Sequence, residues 1–272
     1  MPKSELSIIV TSYRNPQLLR LCLDSVIENA EGLEYELIVC DSATEEETEM
    51  MMREDYPGVK FVAHKENVGF QALLRAGIEK SSAPYLLLLN GDIIVTKGSI
   101  QGLLSFAKSD QMIGMVGPRL LNFDGSTQDS CFRFYKPLTI VYRRTFLGKM
   151  PFARKHLDWF LLRDYDRQEP RGVDWLMGSA LLVRRSALER VGLMDKRFFM
   201  YMEDVDWCRR FWENGLQVIY YPGVAMHHYH GKVSDKGSVF KSLLTSKLTW
   251  VHIVSALKYF AKYLGKPNPH KD

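Results

Sequence analysis

The sequence has no C-x-x-C pair: its four cysteines, Cys22, Cys40, Cys131 and Cys208, stand far apart. That spacing argues against a zinc ribbon or a disulfide framework and leads us to expect buried free thiols in a reducing compartment. No apolar run approaches the roughly 20 residues that cross a bilayer. The opening MPKSELSIIV enters a strand almost at once, without the regions of a signal peptide, so a cytoplasmic location is expected. Neither a G-x-G-x-x-G after a strand nor a Walker A loop is present, which leaves no sign of a dinucleotide fold or a P-loop enzyme. A net charge of +4 over 272 residues does not demand a nucleic-acid partner. Its distribution is uneven: from residue 232 to 272 eight lysines face two aspartates.

What is present is organised around residues 84–95, PYLLLLNGDIIV. Five consecutive apolar residues read as a strand buried on both faces, and they run straight into Asn90, Gly91 and Asp92. A carboxylate is thus delivered to the C-terminal edge of a sheet, where open α/β sheets bind ligands, with a glycine beside it that leaves room for a cation and phosphates. Asn-Gly and Gly-Asp are also ordinary turn dipeptides, so the stretch alone does not decide between a site and a turn.

The surrounding chain alternates strands and helices. Residues 6–10 form an apolar β-rich run; Pro16 then suits the first turn of a helix in which Leu19, Cys22, Leu23 and Val26 recur at helical spacing. A second strand at 35–40 ends at Asp41, and Thr44 with Glu47 has the form of a capping box. A third strand at 59–63 is followed by Asn67 and Gly69 and a helix that carries Arg75. Such alternation predicts β-α-β units with right-handed crossovers and a mostly parallel α/β sheet. Asp124-Gly125 has hairpin-turn chemistry. Residues 131–171 break the pattern, interleaving aromatics with ten Lys or Arg, and read as an irregular insertion. Regular structure returns at 173–183. Glu203, Asp204 and Asp206 then open a helix, with Asp206 and Arg210 able to pair on its surface. A last strand at 218–221 ends at Pro222, and VAMHHYHG places three histidines in four positions, where imidazoles can complete a metal shell begun by Asp92. Beyond residue 235 an apolar stripe among lysines predicts a basic amphipathic helix able to pack on the domain or lie on an anionic membrane.

The order of these pieces resembles the family 2 glycosyltransferases, and among them the bacterial rhamnosyltransferase-like branch. The text that carries the resemblance is VTSYRN at 10–15, VCDSAT at 39–44, ENVGFQALLRAGI at 66–78, LLLLNGDIIV at 86–95, VGPRLLNFDGSTQDS at 116–130, the run from VDWLMGSALLV through MEDVDWCRRFWENG at 173–215, and HHYHGKVS at 227–234. The resemblance implies a GT-A fold, a nucleotide-diphosphate sugar donor linked to dTDP or UDP, Mg²⁺ or Mn²⁺, and inversion at the anomeric carbon. It implies that Thr11 and Tyr13 line the nucleotide pocket, that Asp41 bonds base or ribose, and that Asn67, Gly69 and Arg75 shape the other wall. By the same resemblance Asn90, Gly91 and Asp92 form a D-x-D-like motif, Asp92 and His228 bind metal, and Lys232 reaches phosphate. Glu203-Asp204 matches the family's E-D pair, with Asp204 as general base, while Trp175, Met177 and Gly178 flank sugar and acceptor. Asn90 departs from the pattern, standing where the family's first aspartate belongs and removing one charge near the metal.

The expected organisation is a GT-A domain over 1–234, with 131–171 near the acceptor side, and a helical tail over 235–272. The expected activity is that of a metal-dependent hexosyltransferase, moving L-rhamnose to a saccharide or lipid-linked acceptor in cell-surface polysaccharide or O-antigen synthesis on the inner face of the plasma membrane. Two alternatives compete. A sugar-1-phosphate nucleotidyltransferase would carry a Gly-rich basic loop after the first strand, and residues 11–16 are not one. A non-catalytic relative that only binds nucleotide sugar is suggested by Asn90 and the basic tail.

Overall fold

The computed structural model describes residues 4–229 and 247–270. The first half is built from β1 (Leu6–Tyr13), α1 (Pro16–Asn29), β2 (Tyr35–Ser42), α2 (Glu46–Glu54), β3 (Lys60–His64), α3 (Phe70–Lys80) and β4 (Tyr85–Asn90). Then come β5 (Ile93–Val95), α4 (Ser99–Ser109), β6 (Ile113–Leu121), β7 (Cys131–Phe132), α5 (Pro137–Arg144) and α6 (Pro151–Phe160). The remainder is β8 (Arg171–Gly172), β9 (Trp175–Leu176), β10 (Ala180–Arg184), α7 (Arg185–Val191), α8 (Glu203–Glu213), β11 (Gln217–His228) and α9 (Lys247–Tyr263).

The central sheet runs β3-β2-β1-β4-β10-β6-β11-β5, with β8 added beside β11. The β3-β2-β1-β4 half is parallel, as helical crossovers require. Antiparallel β10 separates it from the parallel β6-β11 pair. Because strand side chains alternate faces, Leu86 and Leu88 of β4 enter one core and Leu87 and Leu89 the other, so an unbroken apolar run is what this central position needs. The four cysteines are buried and free.

Several local expectations are corrected. The Thr44 and Glu47 capping box does not form: Thr44 Oγ1 donates to the Asp41 carbonyl, and α2 begins at Glu46. Residues 131–171 are not irregular throughout, because α5, a 3-10 turn at Phe146–Lys149 and α6 lie within them, and Phe132, Phe134 and Phe160 join the main core. The last strand does not stop at Pro222. β11 passes it through a register shift between Tyr221 and Ala225, the kind of bulge that tolerates a missing donor.

Asp206 is fully buried, so its 2.9 Å pair with Arg210 lies inside the protein rather than on the helix surface. Lys262 and Tyr263 of α9 also bond Asp206, and Lys262 reaches Asp195 at 2.8 Å. Ser255 donates to the Met200 carbonyl at 2.8 Å. The described part of the tail therefore packs on the domain; residues 230–246 lie outside the described chain, and with them Lys232.

Candidate functional site

The C-terminal ends of β1, β2 and β4 open onto a cleft of about 260 Å³. Its walls include Thr11, Tyr13, Asn67, Gly69, Asn90, Gly91 and Asp92, seven positions that the sequence nominates. Backbone bonds fix this edge: Gly91 donates to the Thr11 carbonyl at 2.7 Å and Asn90 to the Ser179 carbonyl at 2.9 Å. The Asn90 side chain accepts from Thr11 Oγ1 at 3.3 Å. Ser12, Asn15, Leu18, Ser42, Phe70, Leu73 and Met200 complete the walls without having been nominated. All adjoin or sit within stretches already singled out, but Met200 reaches the cleft from far along the chain.

Asp41 lies below this surface, beside Ser12 in register and fully buried. Burial pushes its carboxyl up from the ordinary aspartate range, and the neighbouring Thr44, Ser12 and Ser42 pull it partly back. Arg75 and Trp175 are placed elsewhere than expected. Arg75 donates to the Met194 carbonyl at 3.0 Å, at the start of the loop that bears Met200. Trp175 is buried, stacked on Phe132 at 4.3 Å and bonded to the Arg133 carbonyl, because its ring fills an aromatic core.

At one end of the cleft Asp92 is held by a Tyr229 N–H donating to its carbonyl at 2.9 Å. Its Oδ1 stands 3.5 Å from His228 Nε2 and makes no hydrogen bond, and burial lifts the carboxyl to about 6. Strand alternation sends His227 to the opposite face, where it stacks on Phe123. His228 is oriented from behind by Gln128. The Gln128 amide N–H₂ donates to the His228 carbonyl at 2.9 Å and to Asn122 Oδ1 at 2.8 Å, leaving Oε1 to face His228 Nδ1 at 2.8 Å. In the neutral ring Nδ1 therefore carries the proton, and Nε2 turns a lone pair toward Asp92. Asp92 Oδ1 and His228 Nε2 stand near the spacing of two ligands of one cation, since adjacent ligands around one ion at ~2.1 Å lie about 3 Å apart. Among the described residues no group of three or more His, Cys, Asp or Glu gathers here.

Asp204 stands in the first turn of α8. Val205 N–H donates to its Oδ1 at 2.9 Å and Gly178 N–H to its Oδ2 at 3.3 Å. Gly178 is tied in turn to the cleft: a Cβ there would meet the Phe70 ring at 3.2 Å, and its neighbour Ser179 accepts from Asn90. Gly178 therefore ties Asp204 to the Phe70 wall of the cleft that Asp92 lines. Glu203 lies behind, buried, with Oε2 lacking a partner. Desolvation raises both carboxyls, and the Asp204 charge raises Glu203 further.

The chain is strained where it enters this helix. Tyr201 and Met202 both have φ of +68°, a left-handed conformation that side chains other than glycine rarely adopt. Arg14 and Ala43, at the ends of β1 and β2, share it. Gly69 has φ of +83°, and a Cβ there would come within 2.5 Å of the Phe199 carbonyl oxygen. Gly69→Ala is expected to displace the Phe199-Met200 loop from the cleft, at a cost of about 1–3 kcal/mol in stability for the forced backbone. Urea unfolding checks this, and an unchanged midpoint would refute the contact.

Residues 2–252 match the family described as Glycosyltransferase like family 2. An N-acetylglucosaminyl-diphospho-decaprenol L-rhamnosyltransferase of Mycobacterium tuberculosis is 31% identical over 80% of this chain and 74% of its own length. The rhamnosyltransferase WbbL of Escherichia coli is 25% identical over 94% of this chain and 92% of its own. Among solved structures, GalNAc-T7 with UDP, GalNAc and Mn²⁺ superposes with a TM-score of 0.62 at 16% identity, covering 84% of this chain and 44% of that one. TarS of S. aureus superposes at 0.55 and 11% identity, over 82% and 60%. A GT-A sheet opening on this cleft, and a family match over nearly the whole length, make the chain a member of the family 2 glycosyltransferases.

Proposed function

We propose that this glycosyltransferase moves L-rhamnose from dTDP-rhamnose to a lipid-linked saccharide, with inversion at the anomeric carbon. The observation that supports the reading is a carboxylate, Asp204, tied through Gly178 to the Phe70 wall of a cleft whose lining includes Asp92. Relatives named as rhamnosyltransferases, one with a decaprenol-linked acceptor, support the choice of sugar and acceptor.

An acceptor hydroxyl is a poor nucleophile until its proton is taken. Asp204 accepts that proton as the oxygen bonds to C1, and the electron pair of the breaking C1–O bond leaves with the nucleoside diphosphate from the opposite face. Asp41, buried beneath Ser12, would take a donor group from the base or ribose. Asp92 and His228 would hold a divalent cation, Mg²⁺ or Mn²⁺, whose charge offsets that of the diphosphate. Gln128 keeps His228 in the tautomer such a cation needs. Gln128→Leu is expected to weaken Mn²⁺ affinity by about 10–100-fold, as losing an outer-shell partner does. Calorimetric titration reads the affinity and ¹⁵N shifts of the ring read the tautomer; if both are unchanged, Gln128 is only structural.

The direct test is a donor screen. dTDP-rhamnose with Mg²⁺ or Mn²⁺ should raise the melting temperature more than UDP- or GDP-linked sugars, since ligand bound only by the folded state stabilises it. Failure of every donor to bind or be consumed would sink the reading, and preference for another sugar would sink its rhamnosyl part.

A further inference from the structure

Large apolar side chains that face solvent are not scattered evenly over the described residues. Nine of the seventeen lie in α5, α6, the turn between them and α9 with the residue after it. Phe146 is 72% exposed, Phe152 58%, and Leu138 and Met150 are also exposed. On α9 the side opposite the packed Ser255, Tyr259 and Tyr263 shows Trp250, Val254 and Leu257, spaced as one stripe. The two elements adjoin, with Arg144 Nη2 2.8 Å from His252 Nδ1. They also reach the cleft: His252 packs on Tyr201 at 4.8 Å, and Ser255 holds the backbone of Met200.

Charge around these residues is mostly of one sign. From residue 136 to 160 six Lys or Arg face the single carboxylate of Asp158, and from 247 to 270 there is no acidic residue. Lys149, Arg154 and Lys155 are exposed beside the aromatics. Apolar side chains at the level of a ring of cations are what an anionic lipid surface accepts, rings and methylenes entering the headgroup boundary while ammonium groups meet phosphate. A second copy of this chain fits worse, because a two-fold contact would set this predominantly positive face against itself.

We propose that the α5–α6 hairpin and the outward stripe of α9 form one docking face for an anionic bilayer, beside the Met200 wall of the cleft. Such a face rests on the reading of a lipid-linked acceptor: it would bring the protein to the surface in which that acceptor's head group is presented.

The test uses the full chain and vesicles of phosphatidylethanolamine with phosphatidylglycerol, against vesicles of phosphatidylcholine alone. Sedimentation with the anionic vesicles is expected, weakening at high salt. Lys149→Ala with Lys155→Ala should lower the partition coefficient roughly twenty- to thirty-fold, at about fivefold per surface charge. Phe146→Ser with Phe152→Ser should lower it by at least as much, while the thermal shift with dTDP-rhamnose stays as in the parent. Equal sedimentation of parent and both variants overturns the docking face and leaves the transferase reading standing. So does light scattering that finds a vesicle-independent dimer which the phenylalanine variant dissolves. Loss of the donor shift in the parent overturns the transferase reading instead.

Discussion

Asp204→Asn is expected to bind donor as the parent does and to transfer sugar about 10²–10⁴-fold more slowly, the range for losing a positioned base. The amide keeps the shape of the carboxylate, and its one oxygen keeps one of the two bonds that Val205 N–H and Gly178 N–H make to separate oxygens, but it cannot take a proton at neutral pH. A fall in kcat with little change in donor affinity would separate the base role from a binding role. The pH profile gives a second readout. Burial raises the Asp204 carboxyl, and a base works only when deprotonated, so the acid limb of the parent's rate should lie above the ordinary aspartate value of about 3.9. The variant should lose that limb. Stability moves the other way: a carboxyl raised in the folded state makes ionisation costly above its folded pKa, and that cost disappears in the amide. At neutral pH that relief offsets the one backbone hydrogen bond the amide loses, and the variant should melt close to the parent. Unchanged transfer, or a melting point that drops sharply, would remove Asp204 from its role.

The parts of this arrangement that were legible in the sequence are those written in local pattern. The alternation of apolar runs and helical spacing gave the sheet half around β1, β2, β3 and β4, and β1, β2 and β4 each end at a polar residue of the cleft. Motif text reached Asp92, Asp204 and His228. What escaped was long-range packing. Nothing near Trp175 says that its ring will stack on Phe132, and nothing near Arg75 says that it will hold the Met194 carbonyl, because those partners are chosen by the third dimension. Met200 and Gln128 are the same kind of case: each meets its partner across a large separation in sequence. Asp206 shows the limit of helix rules most plainly. Its i, i+4 spacing to Arg210 is visible in the text, but only the docking of α9 makes the pair buried and adds Lys262 and Tyr263.

Asp92→Ala should abolish measurable Mn²⁺ binding in calorimetric titration, an affinity loss of more than about 100-fold, beyond what losing an outer-shell group brings. With it should go the thermal shift that Mn²⁺ adds to the donor, and transfer should fall by about 10² or more as the charge on the leaving diphosphate goes unmet. The bland alternative, that Asp92 merely closes a strand-end turn after Asn90-Gly91, predicts the reverse. Its Oδ1 is buried and unbonded, so if nothing ever sits there an alanine would remove a desolvated carboxylate and the protein would gain stability without losing any response to metal. His228→Ala sharpens the distinction. Under the cation-seat reading it should mimic Asp92→Ala in metal titration, since both groups point at the same 3.5 Å gap. Under the turn reading it should cost only packing, for the ring is 3% exposed and leaves a hole behind. A chain in which both variants keep the parent's Mn²⁺ response has its cation elsewhere or uses none, and Asn90 in place of an aspartate would then mark a site that balances the diphosphate charge with protein dipoles alone.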